Sequence, residues 1–125
     1  MTRKSEIGKL GEDLACEYLV NKSYRILERN FRKPWGELDI VAKYKDGILV
    51  FVEVKTMTEN QELKPEDQMT SAKLKKLRRT ASFYAGRNPE LVKDKKGWRI
   101  DLVAINLNAA TSRFEDCEIR HYENI

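Results

Sequence analysis

The sequence predicts an α/β or α+β sheet flanked by helices, in one domain over residues 1–125. Two stretches repeat apolar residues at helical spacing, and the runs between and after them alternate at strand spacing. Their order is helix, three strands, helix, strands, which is how a sheet covered by helices is built.

The first helix runs from Ser5, a suitable N-cap, to Asn21, with Ile7, Leu10, Leu14 and Tyr18 on one face. Gly8 and Gly11 fall on the neighbouring flank beside Glu12 and Ala15. Each glycine costs a helix about 1 kcal/mol against alanine, so close packing or close approach of a ligand is expected there. Tyr24 to Asn30 is a short strand, and Pro34-Trp35-Gly36 interrupts the pattern. Strands follow over Glu37 to Tyr44 and Ile48 to Thr56. The second helix spans Thr70 to Gly86, with Leu74, Leu77, Ala81 and Tyr84 inward and Gly86 as its stop. Trp98 to Asn106 and Glu115 to Tyr122 complete the strands.

A chain of 125 residues buries roughly two-thirds of its unfolded surface, so it needs neither disulfides nor a structural metal to fold. Charged residues make up 35%, and the net charge is +4. That excess is weak evidence alone, but Lys73, Lys75, Lys76, Arg78 and Arg79 crowd one helix without an intervening acid. They are either a solvated face or clamps for a phosphate backbone, which would give salt-dependent, sequence-independent affinity. Cys16 and Cys117 lack metal-ligand spacing. No run reaches the roughly 20 apolar residues of a membrane span, and Met1 to Glu6 precedes no apolar signal core. The expectation is a soluble cytoplasmic protein with reduced thiols and no membrane partner.

The loop between the second and third strands decides where their charges point. A two-residue Asp46-Gly47 turn would set Asp39 opposite Val54 and place carboxylates on the valine face. A three-residue Lys45-Asp46-Gly47 loop with left-handed Gly47 pairs Tyr44 with Ile48 instead. Asp39 then faces Glu53, and Glu37 faces Lys55. One side becomes continuously apolar, from Leu38, Ile40, Ala42 and Tyr44 to Ile48, Val50, Val52 and Val54, so this register is preferred.

That register sets two acids about 5 Å apart at their attachment points. At roughly 4 Å two carboxylates repel by about 4 kcal/mol at an effective dielectric of 20, which a divalent cation would relieve. Lys55 could hold a water near such a cation or stabilise charge on a phosphate. The plainer alternative is an ion-pair cluster in which Lys55 neutralises Glu37 and Glu53, worth about 0–1 kcal/mol per pair.

The string Gly36-Glu37-Leu38-Asp39-Ile40-Val41, followed by Phe51-Val52-Glu53-Val54-Lys55-Thr56, resembles the YraN-like family of small bacterial proteins. That family lies within the PD-(D/E)XK nuclease superfamily and is similar to archaeal Holliday-junction resolvases. The likeness extends over Gly11-Glu12, Ala15, Tyr18-Leu19, Arg29-Asn30-Phe31-Arg32, Lys73 and Arg99-Ile100-Asp101-Leu102-Val103, in the expected order. It implies a restriction-endonuclease-like central mixed sheet flanked by helices. It also implies Asp39 and Glu53 as ligands of Mg²⁺ or Mn²⁺, with the main-chain carbonyl of Val54 as a third. Lys55 would be the catalytic lysine, Glu12 an added acid from the helix, and Glu37 a further family position. The activity implied is endonucleolytic cleavage of DNA, ahead of RNA, on branched or non-canonical structures, and a homodimer would let paired sites cut both strands. One departure is Met57, where the family carries an arginine that would contact phosphate. A non-catalytic nucleic-acid-binding module that keeps the nuclease fold is the alternative.

Other residues are open at this stage. Asp101 suits an ion pair with Arg99 as well as catalysis. Trp35 and Trp98 suit core packing ahead of base stacking. His121, near the C-terminus, is expected to be exposed and is assigned no role.

Overall fold

A computed structural model describes residues 4–58, 69–93, 96–107 and 113–125. Helix α1 (Lys4–Asn21) leads into strands β1 (Tyr24–Lys33), β2 (Gly36–Tyr44) and β3 (Leu49–Met57). Helix α2 (Ser71–Arg87), strand β4 (Trp98–Asn106) and strand β5 (Glu118–Tyr122) follow, with short 3₁₀ turns at Pro89–Leu91 and Phe114–Asp116. The five strands form one sheet in chain order. β1, β2 and β3 are antiparallel neighbours, β3 and β4 are parallel, and β5 returns antiparallel to β4. This is the mixed, helix-flanked α/β sheet that the sequence indicates. The parallel step needs a crossover, which α2 supplies.

Both sheet faces are covered. Leu14, Ala15 and Leu19 of α1 pack on Ile40, Ala42, Val50, Val52, Val103 and Ile105. Leu77, Ala81, Tyr84 and Ala85 of α2 pack on Val41, Leu49, Phe51 and Ile100. The preferred hairpin register holds: Ala42 pairs with Val50 and Ile40 with Val52. The Tyr44 N–H donates to the Ile48 carbonyl at 3.0 Å, and Gly47 sits at φ 91°.

Four details differ from expectation. Ser5 lies inside α1 rather than capping it. β1 does not stop at Asn30; that residue takes a left-handed φ of 55°, which asparagine tolerates, and the strand bends and continues to Lys33. Thr70, whose hydroxyl accepts the Lys73 N–H at 3.2 Å, caps α2. Its end is set not by Gly86 but by Asn88, whose amide donates to the Tyr84 carbonyl at 2.9 Å ahead of Pro89. Finally, Leu38 does not share a face with Ile40; it packs on the α2 side. The β2–β3 pairing ends at Ile40 and Val52, so β2 is released from its neighbour and turns over at Asp39.

Candidate active site

The fork where β2 leaves β3 is the site. β1 bends at Asn30, and the position that would pair Asn30 with Asp39 is skipped. Freed from the ladder, the Asp39 carboxylate turns inward and its Oδ2 accepts the N–H of Val54 at 2.8 Å. A strand residue sends its N–H and C=O to the same side, so the Val54 carbonyl also aims at the fork. Glu53 and Lys55 alternate onto the α2 side, where Lys73 Nζ lies 2.9 Å from Glu53 Oε2.

A cavity of about 590 Å³ opens at the fork, and its walls include Glu12, Glu37, Asp39, Glu53, Val54, Lys55 and Lys73. The expected acids and the lysine therefore converge in one place, reached by both helices. Glu37 occupies its rim. The β2–β3 ladder does not extend to Glu37 and Lys55, and Glu37 instead faces Arg32 across β1, 3.7 Å away. Met57 is buried, so that position packs the core.

Electrostatics mark Asp39 as the unusual member. Burial first, and then the charge of Glu53, push its carboxyl from 3.8 up to about 8, against the opposing pull of the Val54 N–H. Burial also raises the Glu12 carboxyl, moderated by the Arg29 charge and by a hydrogen bond from Asn30. Arg29 reaches Glu12 at 3.9 Å and Asp13 at 2.7 Å. Two close carboxylates, one driven towards its protonated form by burial and by the charge of the other, are a donor set suited to a divalent cation. Among the described residues no three His, Cys, Asp or Glu side chains are grouped to hold a metal. The candidate donors are thus Asp39, Glu53 and the Val54 carbonyl, with water for the rest, a set that matches the water-rich shells of Mg²⁺ and Mn²⁺.

Gly11 lets the first helix come this close. A methyl group there would overlap the Thr56 side chain on β3, whereas one at Gly8 would meet nothing within 4 Å. The expected tight packing belongs to Gly11, and Gly8 borders the cavity.

The basic residues of α2 divide. Lys73 enters the site. Lys76 lines a second recess next to it. The Arg79 guanidinium stacks 4.9 Å from the Trp35 ring centre. Lys75 is exposed, and Arg78 donates to the Ile125 carbonyl at 3.4 Å.

Of a buried polar network on the α1 side of the sheet, sequence reasoning named only the Arg99–Asp101 pair. Asp101 is fully buried and receives Arg99 Nε at 2.9 Å, His121 Nε2 at 2.8 Å and the Asn124 N–H at 3.0 Å. His121 Nδ1 in turn hydrogen-bonds Tyr18 Oη at 2.9 Å, and its side chain is only 12% exposed. Asp101 is thus the ion-pair partner of Arg99, and the expectation of an exposed His121 is corrected. A lone histidine carries no periodic signal, so only its spatial neighbours reveal it. The role of Asn30 was equally hidden, although the run Arg29-Asn30-Phe31-Arg32 is unusually polar for a strand.

A model of the uncharacterised protein family UPF0102 matches residues 11–105. A UPF0102 protein of Thermodesulfovibrio yellowstonii is 41% identical over 120 residues, covering 95% of this chain and 94% of its own. One from Persephonella marina is 44% identical over 100 residues, covering 78% and 81%. Among solved structures, Pyrococcus furiosus SfsA in complex with Ca²⁺ aligns with 93% of this chain at 20% identity and a TM-score of 0.39; this chain spans 62% of its length. With a family model over more than half its length and relatives above 40% identity, the chain belongs to UPF0102, the YraN-like family that its motifs resemble.

Proposed function

We propose that the protein is a Mg²⁺- or Mn²⁺-dependent endonuclease that hydrolyses phosphodiester bonds in DNA, with branched or otherwise non-canonical structures as its substrates. The observation that carries this reading is the gathering of Asp39, Glu53 and Lys55 around one open cavity. Asp39, Glu53 and the Val54 carbonyl would hold the cation, which supplies charge stabilisation at the phosphoryl oxygens.

The chain's own groups do the rest. Lys55 sets an ammonium where charge develops on the phosphate and orients the attacking water. Glu12, its carboxyl raised by burial, is suited to receive the proton that the water gives up. Asn30 and Arg29 hold Glu12 in place. Lys75, Lys76, Arg78 and Arg79 add affinity for the backbone that salt weakens. Cys16 and Cys117 are not joined by a disulfide, which is compatible with the reducing cytoplasm to which we assign the protein.

The test is cleavage of a panel of duplex, flapped and branched DNA by wild type, Asp39→Ala and Lys55→Ala. Loss of cutting in both variants is expected. Equal residual cutting in all three would trace the activity to contamination and end the proposal.

One observation favours a second reading, a nucleic-acid-binding module without catalysis. Lys73 already neutralises Glu53 at 2.9 Å, which a site without a cation would need. Calorimetry separates the two: Mn²⁺ binding that disappears in Asp39→Ala excludes the second reading.

A further inference from the structure

Beside the fork lies a second recess of about 530 Å³, between the Pro34-Trp35 turn and α2. It shares Glu37, Glu53 and Lys73 with the first cavity, so a polymer leaving one enters the other. Its own walls add Lys33, Trp35 and Lys76. Of the two shared acids, Glu53 is paired with Lys73 and Glu37 with Arg32, which leaves Lys33 and Lys76 to set the local charge.

Trp35 is built to stay in place. It follows a proline in a two-residue turn, and Phe83 meets its ring edge-on at 5.0 Å and 83°. Arg79 lies over the ring at 4.9 Å. A ring already fixed loses little freedom when a ligand stacks on it. Gly36, where a methyl group would overlap the Thr80 side chain, lets the start of β2 close against α2 behind it. An aromatic platform, a stacked guanidinium and flanking lysines are the elements that hold an unpaired nucleotide: bases stack on aromatic rings and on guanidinium planes, and cations track the backbone. The volume falls in the range of about 300–1,000 Å³ typical of small-ligand sites, enough for an unpaired nucleotide and too little for a duplex.

We propose that this recess is a single-strand subsite, in which an unpaired nucleotide next to the scissile phosphate stacks its base on Trp35 and sets its backbone against Lys33 and Lys76. The assignment rests on the nuclease reading for the chemistry of the ligand, and it narrows the substrate to strands that are unpaired beside the cut.

The test reads binding, not cleavage. Full-length protein carrying Trp98→Phe leaves Trp35 as the sole indole, and an oligothymidylate is titrated without divalent metal while emission is followed. Quenching of Trp35 that a blunt duplex of equal length does not reproduce is expected. In anisotropy measurements Trp35→Ala should weaken oligothymidylate binding about tenfold or more, in line with the ~1–3 kcal/mol per stacked base. Trp35→Phe, which keeps the packing on Phe83, should recover most of it, and Lys22→Ala, at an exposed position just past α1, should leave the preference for single strands unchanged. No quenching, or a duplex that competes as well as the single strand, overturns the subsite. A protein that binds in this way yet never cuts would keep the subsite and refute the endonuclease; one that cuts without quenching would do the reverse.

Discussion

Asp39 Oδ2 accepts the main-chain N–H of Val54 at 2.8 Å, taking the place of a ladder bond that β2 would otherwise have made. The bond ties together three features of the site. It keeps the split between β2 and β3 from leaving a bare donor, it holds the Asp39 carboxyl beside Glu53, and it fixes the main chain at Val54, whose carbonyl points to the same side as its N–H. Glu53 supplies the opposing influence, since its charge and the surrounding burial drive Asp39 towards protonation.

The raised Asp39 carboxyl makes stability depend on pH in a stated direction. Its folded value, about 8, lies above the ordinary 3.8, so the folded chain binds this proton more tightly than the unfolded one. The contribution is fully present below about pH 4 and is lost as pH rises through 8. Asp39→Asn keeps an oxygen for the Val54 N–H but never ionises. It is expected to melt at least about 3 °C above wild type at pH 8.5, with the gap closing by pH 5. Mg²⁺ or Mn²⁺ should stabilise wild type more at pH 8 than at pH 5, because binding displaces the proton. Melting curves that stay parallel across this range would contradict the assignment.

In the metal-dependent reading proposed above, Lys73 would compete with the cation for Glu53. Its ammonium lies 2.9 Å from Glu53, which is 13% exposed, while Lys73 itself is 44% exposed. Removing a unit charge at such range, even with an effective dielectric near 20, changes a cation's binding by on the order of 1–2 kcal/mol after screening. Lys73→Met should therefore bind Mn²⁺ about tenfold more tightly and bind DNA more weakly. Titration calorimetry with Mn²⁺ alone reads the first effect, and an unchanged affinity would show that the pair does not compete with the metal.

Much of this arrangement was legible in the residues, for identifiable reasons. Strand alternation and the glycine at position 47 fixed a register that brings Asp39 towards Glu53, because only one register buries the valine face. The turning over of β2 at Asp39 was not legible, since Leu38 and Ile40 are equally apolar and alternation assigns them one face. The entry of Lys73 was partly hidden: five basic residues on one helix look alike until the crossover places one of them over Glu53. Of the Asp101 network only the Arg99 pair, two residues away on one strand, was legible; His121, Asn124 and Tyr18 are far off in sequence and reach it through the return of β5.

Gly8 and Gly11, three residues apart on one helix, should respond oppositely to alanine. At Gly8 the added methyl meets nothing within 4 Å, so only helix propensity changes and stability should rise by about 0.5–1 kcal/mol. At Gly11 the methyl meets the Thr56 side chain on β3, and α1 must move off the sheet. A loss of about 1–3 kcal/mol is expected from such overpacking, partly recovered in Gly11→Ala with Thr56→Ala, which removes the hydroxyl and methyl that the new group meets. Urea denaturation of the three variants checks both signs, and a Gly11→Ala variant as stable as wild type would show that the helix is not seated by this contact.

Asp101 fastens the C-terminal segment to the sheet. Burial works to raise its carboxyl, but the bonds from His121, Arg99 and the Asn124 N–H outweigh it and hold the group below the usual range. Its folded value is therefore lower than its unfolded one, so the stabilisation is present above about pH 4 and fades as pH falls through the folded value. Asp101→Ala leaves the Arg99 guanidinium and the His121 ring without their shared acceptor, and the loss of a buried charge partner is expected to cost about 3 kcal/mol or more near neutral pH. Asp101→Asn, which keeps the shape and removes the charge, should cost less. Hydrogen exchange locates the effect: amides of β5 and of Ile125, whose N–H bonds the Ile100 carbonyl at 2.9 Å, should lose protection before those of β2 and β3. Uniform loss across the sheet would mean that Asp101 supports the whole core rather than the C-terminal latch.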